Sequence, residues 1–128
     1  MLQESYSDLT EEVIRCFYEV YNTLGSGFLE KVYENALVVE LKGSGVVVRQ
    51  QESIEVLYKK SVVGQYVCDL LVDNKVIVEI KAVRFMQAEH EAQILNYLKA
   101  TGVEVGLLLN FGQKPEVRRR VFTNQKNY

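Results

Sequence analysis

Two acidic residues and a lysine in the middle of the chain have the types and spacing that can hold a metal ion. They are Asp69, Glu79 and Lys81, in the segment VCDLLVDNKVIVEIKAV. Successive side chains of a strand alternate between its two faces, so Glu79 and Lys81 share one face. The predicted neighbours on that face are apolar: Val67, Leu71 and Ile77. Covered charges of this kind are costly unless they are paired or bound to a metal.

The register of the hairpin that joins these two strands decides whether Asp69 belongs to the same face. A three-residue loop over positions 73–75 places Asp69 directly opposite Glu79. A two-residue turn would put the carboxylates on opposite faces unless a bulge corrected the parity. Two other interpretations stay open: Glu79 and Lys81 lie on a solvated strand face, or Asp69 and Lys81 form a structural ion pair.

The surrounding pattern predicts the elements that position these residues. Apolar residues at helical spacing predict a first helix from about Leu9 to Leu24, ended by Gly25, and a second helix over 28–42. β-Branched runs between about 46 and 83 predict three or four antiparallel strands. A third helix up to Gly102 and two strands, 104–110 and about 117–122, complete the order. We expect an α/β fold with a mixed sheet covered on both faces.

Composition sets outer limits on the function. The 128 residues are 48% apolar, which predicts one domain over 1–128. No apolar run approaches the length of a membrane span and no export signal opens the chain, so we expect a soluble, cytoplasmic protein. Cys16 and Cys68 are predicted to be buried free thiols, and no zinc site is expected. The net charge of −2 gives no overall attraction to phosphates, so basic groups must act locally. The candidates are Arg49, Lys59, Lys60, Lys114 and 118–120.

Several motifs together resemble those of one nuclease superfamily. The pattern CD, nine residues, then EIK is similar to the PD-(D/E)XK nuclease motif, with Cys68 at the position often held by proline. QILNY, residues 93–97, resembles the Q-x-x-x-Y helix of the RecB-like and lambda-exonuclease-like branch. GFLEKVY, residues 27–33, together with EIKAV and GLLLNFG, is similar to the signature of the GxxExxY family. The resemblance extends from about Leu9 to Phe122.

This resemblance implies a restriction-endonuclease-like core and Mg²⁺-dependent (or Mn²⁺-dependent) hydrolysis of phosphodiester bonds. Hard cations take oxygen ligands, which Asp69, Glu79 and the backbone carbonyl of Ile80 would supply. Lys81 would position water and offset charge that grows on the phosphate. A histidine is not required, and His90 is predicted to be exposed.

The third predicted helix carries two more candidates. Gln93 and Tyr97 stand one turn apart, so an amide and a phenol can reach the same patch. The resemblance makes Gln93 a catalytic residue and both residues substrate contacts. An ordinary amphipathic helix with Tyr97 in the core is the competing interpretation.

Glu30 is the acidic residue of GFLEKVY and needs its own explanation. It shares a helix stripe with Tyr33, Glu34 and Leu37, and Leu37 must face the protein. The resemblance implies that Glu30 reaches the metal, directly or through water, and that Tyr33 orients it or contacts phosphate. The alternative is a first-turn carboxylate that is favoured by the helix dipole.

The sequence thus predicts a metal-dependent nuclease whose partner is nucleic acid, with DNA as the expected substrate. Two alternatives stay open. One is a catalytically silent nuclease-fold module that binds nucleic acid or protein. The other is a subunit of a homo-oligomer or larger DNA-processing complex.

Overall fold

Three helices and five strands make up the fold in a computed structural model, which describes residues 6–123. The order follows the sequence prediction, with three strands rather than four before the third helix. The elements are α1 (Tyr6–Leu24), α2 (Glu30–Gly43), β1 (Val48–Tyr58), β2 (Ser61–Val72), β3 (Val76–Lys81), α3 (Ala88–Thr101), β4 (Val105–Phe111) and β5 (Pro115–Val121).

The five strands form one mixed sheet in the order β1-β2-β3-β4-β5. β3 and β4 are parallel, and the other neighbours are antiparallel. A parallel pair needs a crossover connection, which α3 provides between β3 and β4. The predicted mixed sheet is confirmed.

Helices cover both faces of this sheet, as predicted. α1 and α2 pack on one face, where Phe17, Leu37 and Leu41 meet Val78 and other strand residues in the larger apolar core. α3 packs on the opposite face through a smaller core that includes Ile77, Ile94 and Leu98. All seven residues of β4 are buried because both faces of this strand are covered.

The β2–β3 hairpin has the register of the three-residue loop, one of the alternatives left open by the sequence. Leu70 pairs with Val78 and Val72 with Val76, so the loop has three residues, 73–75. One neighbour prediction is wrong: Val67 is 50% exposed, not covered. The ladder between β2 and β3 ends at Leu70 and Val78, so within residues 6–123 the first part of β2 pairs with β1 alone.

Both cysteines are buried free thiols, as predicted. Burial raises the pKa of Cys68 to about 12, with a further contribution from nearby carboxylates. A thiol with so high a pKa is a poor nucleophile, which agrees with a packing role. In the part of the chain that the structure describes, no helix is long and apolar enough to cross a membrane.

Candidate active site

The two central carboxylates meet where β2 separates from β3. The backbone ladder between these strands ends at the pair Leu70 and Val78. At the next pair, Asp69 and Glu79, side chains accept the hydrogen bonds in place of backbone carbonyls. The Asp69 backbone N–H donates to Glu79 Oε2 at 2.8 Å, and the Ile80 N–H donates to Asp69 Oδ2 at 2.8 Å. Each carboxylate is therefore held by a backbone donor of the opposite strand. We call this place the strand fork.

Burial and mutual repulsion make the carboxylates of the strand fork reluctant to ionise. Glu79 is only 5% exposed. Burial, followed by the charge of Asp69, raises the pKa of Glu79 to about 8. Burial also raises the pKa of Asp69, and the negative charges of Glu34 and Glu30 raise it further. The hydrogen bond from the Ile80 N–H acts in the opposite direction and lowers this pKa. Such a concentration of buried negative charge is stabilised by a proton or by a cation.

Lys81 lies half-buried at the end of β3, two residues after Glu79. The positive charge of Lys81 lowers the pKa of both Asp69 and Glu79, although burial raises these pKa values by more. Lys81 therefore lies near both carboxylates. Among the ion pairs of residues 6–123, none joins Lys81 to Asp69, so the structural ion pair considered from sequence is not found. The solvated-face interpretation is wrong for Glu79, which is buried.

A buried carboxylate that sequence reasoning did not assign to the site lies beside the fork. Glu34 of α2 accepts hydrogen bonds from Gln50 Nε2 at 2.7 Å and Gln51 Nε2 at 2.9 Å, and pairs with Lys31 at 3.2 Å. Its position on the inward stripe with Glu30 was the only signal available in the sequence. The two glutamines carry no motif that would have identified them.

Gln51 connects this network to Asp69. Its amide nitrogen lies 3.5 Å from Asp69 Oδ1 as well as within hydrogen-bonding distance of Glu34. The pairs on either side join Gln50 to Leu70 and Glu52 to Cys68, so Gln51 stands opposite Asp69 in the β1–β2 ladder. Its φ of 56° is left-handed, a conformation that costs roughly 1–2 kcal/mol for a residue other than glycine. This strained backbone lies directly beside the fork.

Glu30 lies at the rim of the site. It is the first residue of α2 and its side chain is exposed. After burial, its charge is among the causes that raise the pKa of Asp69 and Glu79, so it lies within electrostatic range of both. Within residues 6–123, however, no three His, Cys, Asp or Glu side chains form a ready-made metal cluster. A direct or water-mediated contact of Glu30 with a metal stays a prediction.

Tyr33 has a different role from the one predicted. The ring is fully buried and stacks on Phe111 with 4.4 Å between ring centroids. Its hydroxyl donates to the Gly25 carbonyl at 2.6 Å and accepts from the Phe28 N–H at 3.1 Å. Both hydrogen-bonding functions are used within the protein, so we do not retain Tyr33 as a phosphate contact or as the residue that orients Glu30.

Replacing Tyr33 with phenylalanine should lower the free energy of unfolding by about 1–3 kcal/mol, because the Phe28 N–H and the Gly25 carbonyl, both in partly buried hydrogen bonds, lose their partner. The measurement is the urea midpoint, with Tyr66→Phe, an exposed tyrosine, as the control. Metal binding by the folded variant should be unchanged. A variant with wild-type stability but impaired metal binding would return Tyr33 to the site.

Tyr97 is a core residue within electrostatic range of Glu79. It is 4% exposed and lies in the smaller core, with its ring centroid 5.8 Å from that of Tyr66. Burial, then the charge of Glu79, raises its pKa to about 12. Gln93 lies one turn earlier on α3 and is half-buried. The core interpretation of Tyr97 is therefore correct, and the prediction of substrate contact now applies mainly to Gln93.

The basic run of β5 is largely used within the protein. Arg118 pairs with Glu91 of α3 and with Glu116, and Arg120 also pairs with Glu91. His90 was predicted to be exposed, but it is half-buried and its Nδ1 accepts the Gln87 N–H at 3.0 Å, which caps α3. These contacts join α3 to β5 and leave His90 outside the site.

Comparison with known proteins identifies the superfamily of this fold. A family model described as the PD-(D/E)XK nuclease superfamily matches residues 7–120. No curated protein matches the chain. A crystal structure of the protein SSO0001 is similar with a TM-score of 0.59 and 19% identity, over 93% of this chain. The chain spans 60% of the length of that protein. The mixed five-stranded sheet with its three helices thus has the restriction-endonuclease-like fold that was predicted.

Proposed function

This chain belongs to the PD-(D/E)XK nuclease superfamily, and on that premise we propose that it is a divalent-metal-dependent nuclease that hydrolyses phosphodiester bonds of DNA. The observation that carries the proposal is the strand fork, where Asp69 and Glu79 are buried together with raised pKa values beside Lys81. A protein without use for a cation gains nothing from two adjacent buried carboxylates. We also assign the chain to the GxxExxY group, on the strength of GFLEKVY at 27–33.

The oxygen donors at the fork fit Mg²⁺ or Mn²⁺. Asp69 and Glu79 offer carboxylate oxygens, the ligands that hard cations prefer. Ile80 directs its N–H toward Asp69, and the carbonyl of a strand residue lies on the same edge as its N–H, so the Ile80 carbonyl also faces the fork. When bound, such an ion polarises the phosphoryl oxygens and lowers the pKa of a bound water.

The other residues act on the substrate or support the ligands. Lys81 holds the attacking water and offsets negative charge on the phosphate. Gln93 is the candidate for a direct contact with the substrate, and Glu30 for an outer ligand through water. Gln51 and Glu34 act as positioning residues, since the Gln51 amide limits the orientations open to Asp69.

A second function is favoured by the charge of the chain. A net charge of −2 and a pI near 5.5 provide no broad basic surface for a duplex. The alternative is therefore a catalytically silent module that binds nucleic acid or protein, or a subunit of a complex in which a partner protein supplies the DNA-binding surface. In either case the fork would bind metal without cleavage by the chain alone.

Cleavage of labelled nucleic acids tests the proposed function. Linear and circular duplexes, single-stranded DNA and RNA are incubated with Mg²⁺, with Mn²⁺ and with EDTA. We expect cleavage of DNA only with metal, and none by the double variant Asp69→Asn/Glu79→Gln. The control is Glu55→Gln, which removes an exposed carboxylate of β1 and should cleave as the wild type does.

Two results would contradict this proposal. Metal binding without cleavage of any substrate would favour the silent module. Cleavage that persists in the double variant would have to come from another site or from a contaminant.

A further inference from the structure

Three loops converge beyond the end of β3 and form one continuous groove. They are 26–28 between α1 and α2, 83–85 between β3 and α3, and 112–114 between β4 and β5. Two depressions of about 310 and 440 Å³ make up the groove, and Arg84 and Gln113 line both. Each volume lies in the range of ligand pockets. We call this feature the loop groove.

The backbone of the loop groove is fixed by buried and partly buried polar side chains. Asn110 accepts from the Val83 N–H and donates to the Val83 carbonyl, both at 2.9 Å. The Tyr21 hydroxyl lies 2.9 Å from the Gly112 carbonyl and 2.7 Å from the Gln113 carbonyl. Gly112 approaches so closely that an added Cβ would lie 2.3 Å from the Val83 carbonyl oxygen. With Tyr33 holding the first loop, all three loops are preorganised.

Large apolar and basic side chains on these fixed loops remain in solvent. Phe28 is 49% exposed and Phe85 is 68% exposed. The Arg84 guanidinium lies 5.7 Å from the centroid of the Phe85 ring. Lys114 is exposed, and Glu116 is already paired with Arg118. A rigid groove with solvent-exposed aromatic rings and positively charged side chains is suited to a negatively charged ligand that contains planar rings.

The loop groove adjoins the strand fork. Arg84 follows Lys81 by three residues, so their Cα atoms are at most roughly 11 Å apart. On the other wall, Phe28 precedes Glu30 by two residues. A phosphate at the fork would therefore have its neighbouring nucleotides at or in the groove.

We propose that the loop groove binds single-stranded nucleic acid next to the bond that is cleaved, with a base stacked on Phe85 and phosphates held by Arg84 and Lys114. This proposal rests on the proposed nuclease function. Unpaired bases can stack on aromatic side chains, whereas the bases of a duplex are already stacked. We therefore expect the chain to prefer single strands or unpaired ends, because its net charge of −2 provides no overall attraction to a duplex.

Binding measured by fluorescence anisotropy tests the groove without cleavage. The probes are 5′-labelled oligo-dT, oligo-rU and a hairpin duplex, in EDTA. We expect Phe85→Ala and Phe85→Leu to weaken single-strand binding on the order of 10-fold, and Phe85→Tyr to restore it, because stacking needs the ring. Lys114→Gln should reduce the salt dependence of binding by about the share of one phosphate contact. The control is Val39→Ala, another exposed apolar residue, on α2.

The outcomes separate the groove from the proposed catalysis. Phe85-dependent binding of single strands, without cleavage in Mg²⁺, would support the groove and contradict the nuclease. Wild-type binding and cleavage of single strands by Phe85→Ala would overturn the groove and leave the nuclease intact. A wild-type protein that binds no nucleic acid would also overturn the groove, and its apolar rings would then suit a protein partner. Thermal melts check that each variant is folded.

Discussion

Replacing Lys81 with methionine should lower the rate of metal-dependent cleavage on the order of 10²-fold or more. Methionine keeps the length and apolar stem of the side chain but removes the ammonium group. In the structure this group lies near both Asp69 and Glu79, and its charge opposes the burial that raises their pKa values. The effect should fall on kcat, because the ammonium acts most strongly on charge that grows in the transition state.

Two matched variants separate the role of Lys81 from charge in general. Lys75→Met removes a lysine from the exposed β2–β3 turn and should cleave as the wild type does. Lys81→Arg keeps the charge with a larger, planar head group, so its activity should stay well below that of the wild type. Measurement of initial rates at saturating Mg²⁺, with single-stranded and duplex DNA, gives the comparison.

Unchanged cleavage by Lys81→Met would place the reaction outside the strand fork. An equal loss in Lys75→Met would instead indicate an effect of total charge on substrate binding, which a change in salt dependence would reveal. Binding of oligo-dT in EDTA by Lys81→Met should stay within a few-fold of the wild type, since the loop groove is intact.

Much of the fold was predictable because side-chain period and loop length are local properties. Helical spacing from Leu9 to Leu24 and the stop at Gly25 predicted α1. For Asp69 and Glu79 to share a face, the sequence required either a three-residue loop over 73–75 or a bulge, since a change of one residue would move a carboxylate to the other face. The structure has the three-residue loop. The element order and this condition on the hairpin were sufficient to predict that Asp69 and Glu79 lie together.

The strand fork itself was not predictable from these local signals. Only residues 76–78 of β3 pair with residues 70–72 of β2, so the two strands separate between Leu70 and Asp69, and nothing in the alternation of apolar residues encodes that point. The separation allows the Asp69 and Glu79 side chains to take backbone donors, and it exposes Val67. Pairing length depends on neighbouring elements that are distant in sequence.

Residues whose partners are backbone atoms were also missed or misassigned. The Tyr33 hydroxyl contacts main-chain atoms of Gly25 and Phe28, and a pattern of side chains gives no sign of such partners. Gln51 acts through a left-handed backbone and a long-range contact with Glu34, neither of which a glutamine in a strand-like sequence suggests. Such contacts emerge only when the tertiary structure is known.

The raised pKa of Glu79 should make the stability of the metal-free protein fall as pH increases. Its ordinary value is 4.5 and burial, followed by the charge of Asp69, raises it to about 8. Between these two values the folded protein holds a proton that the unfolded chain releases. The folded state therefore binds more protons, and the free energy of unfolding must decrease as pH rises through this window. The total change is on the order of 5 kcal/mol, at about 1.4 kcal/mol per pKa unit.

Urea unfolding in EDTA between pH 5 and pH 8.5 measures this dependence. Glu79→Gln removes the ionisable group, so its profile over this range should be flatter than that of the wild type. Glu55→Gln, which changes an exposed carboxylate of β1, should follow the wild-type profile. A wild-type profile that runs parallel to that of Glu79→Gln from pH 5 to pH 8 would show that Glu79 is already ionised at pH 5 in the folded state.

Divalent metal should reverse the loss of stability at the upper end of this range. At pH 8 the ionised carboxylates of Asp69 and Glu79 repel each other. Mg²⁺ that binds only the folded state stabilises the folded state by mass action. At pH 5 the proton already neutralises Glu79, so the same Mg²⁺ concentration should raise the melting temperature much less. Asp69→Asn should be more stable than the wild type without metal at pH 8, because one of the two buried charges is gone. It should also lose most of the metal-dependent gain, and an equal response to Mg²⁺ in both proteins would show that the ion binds elsewhere.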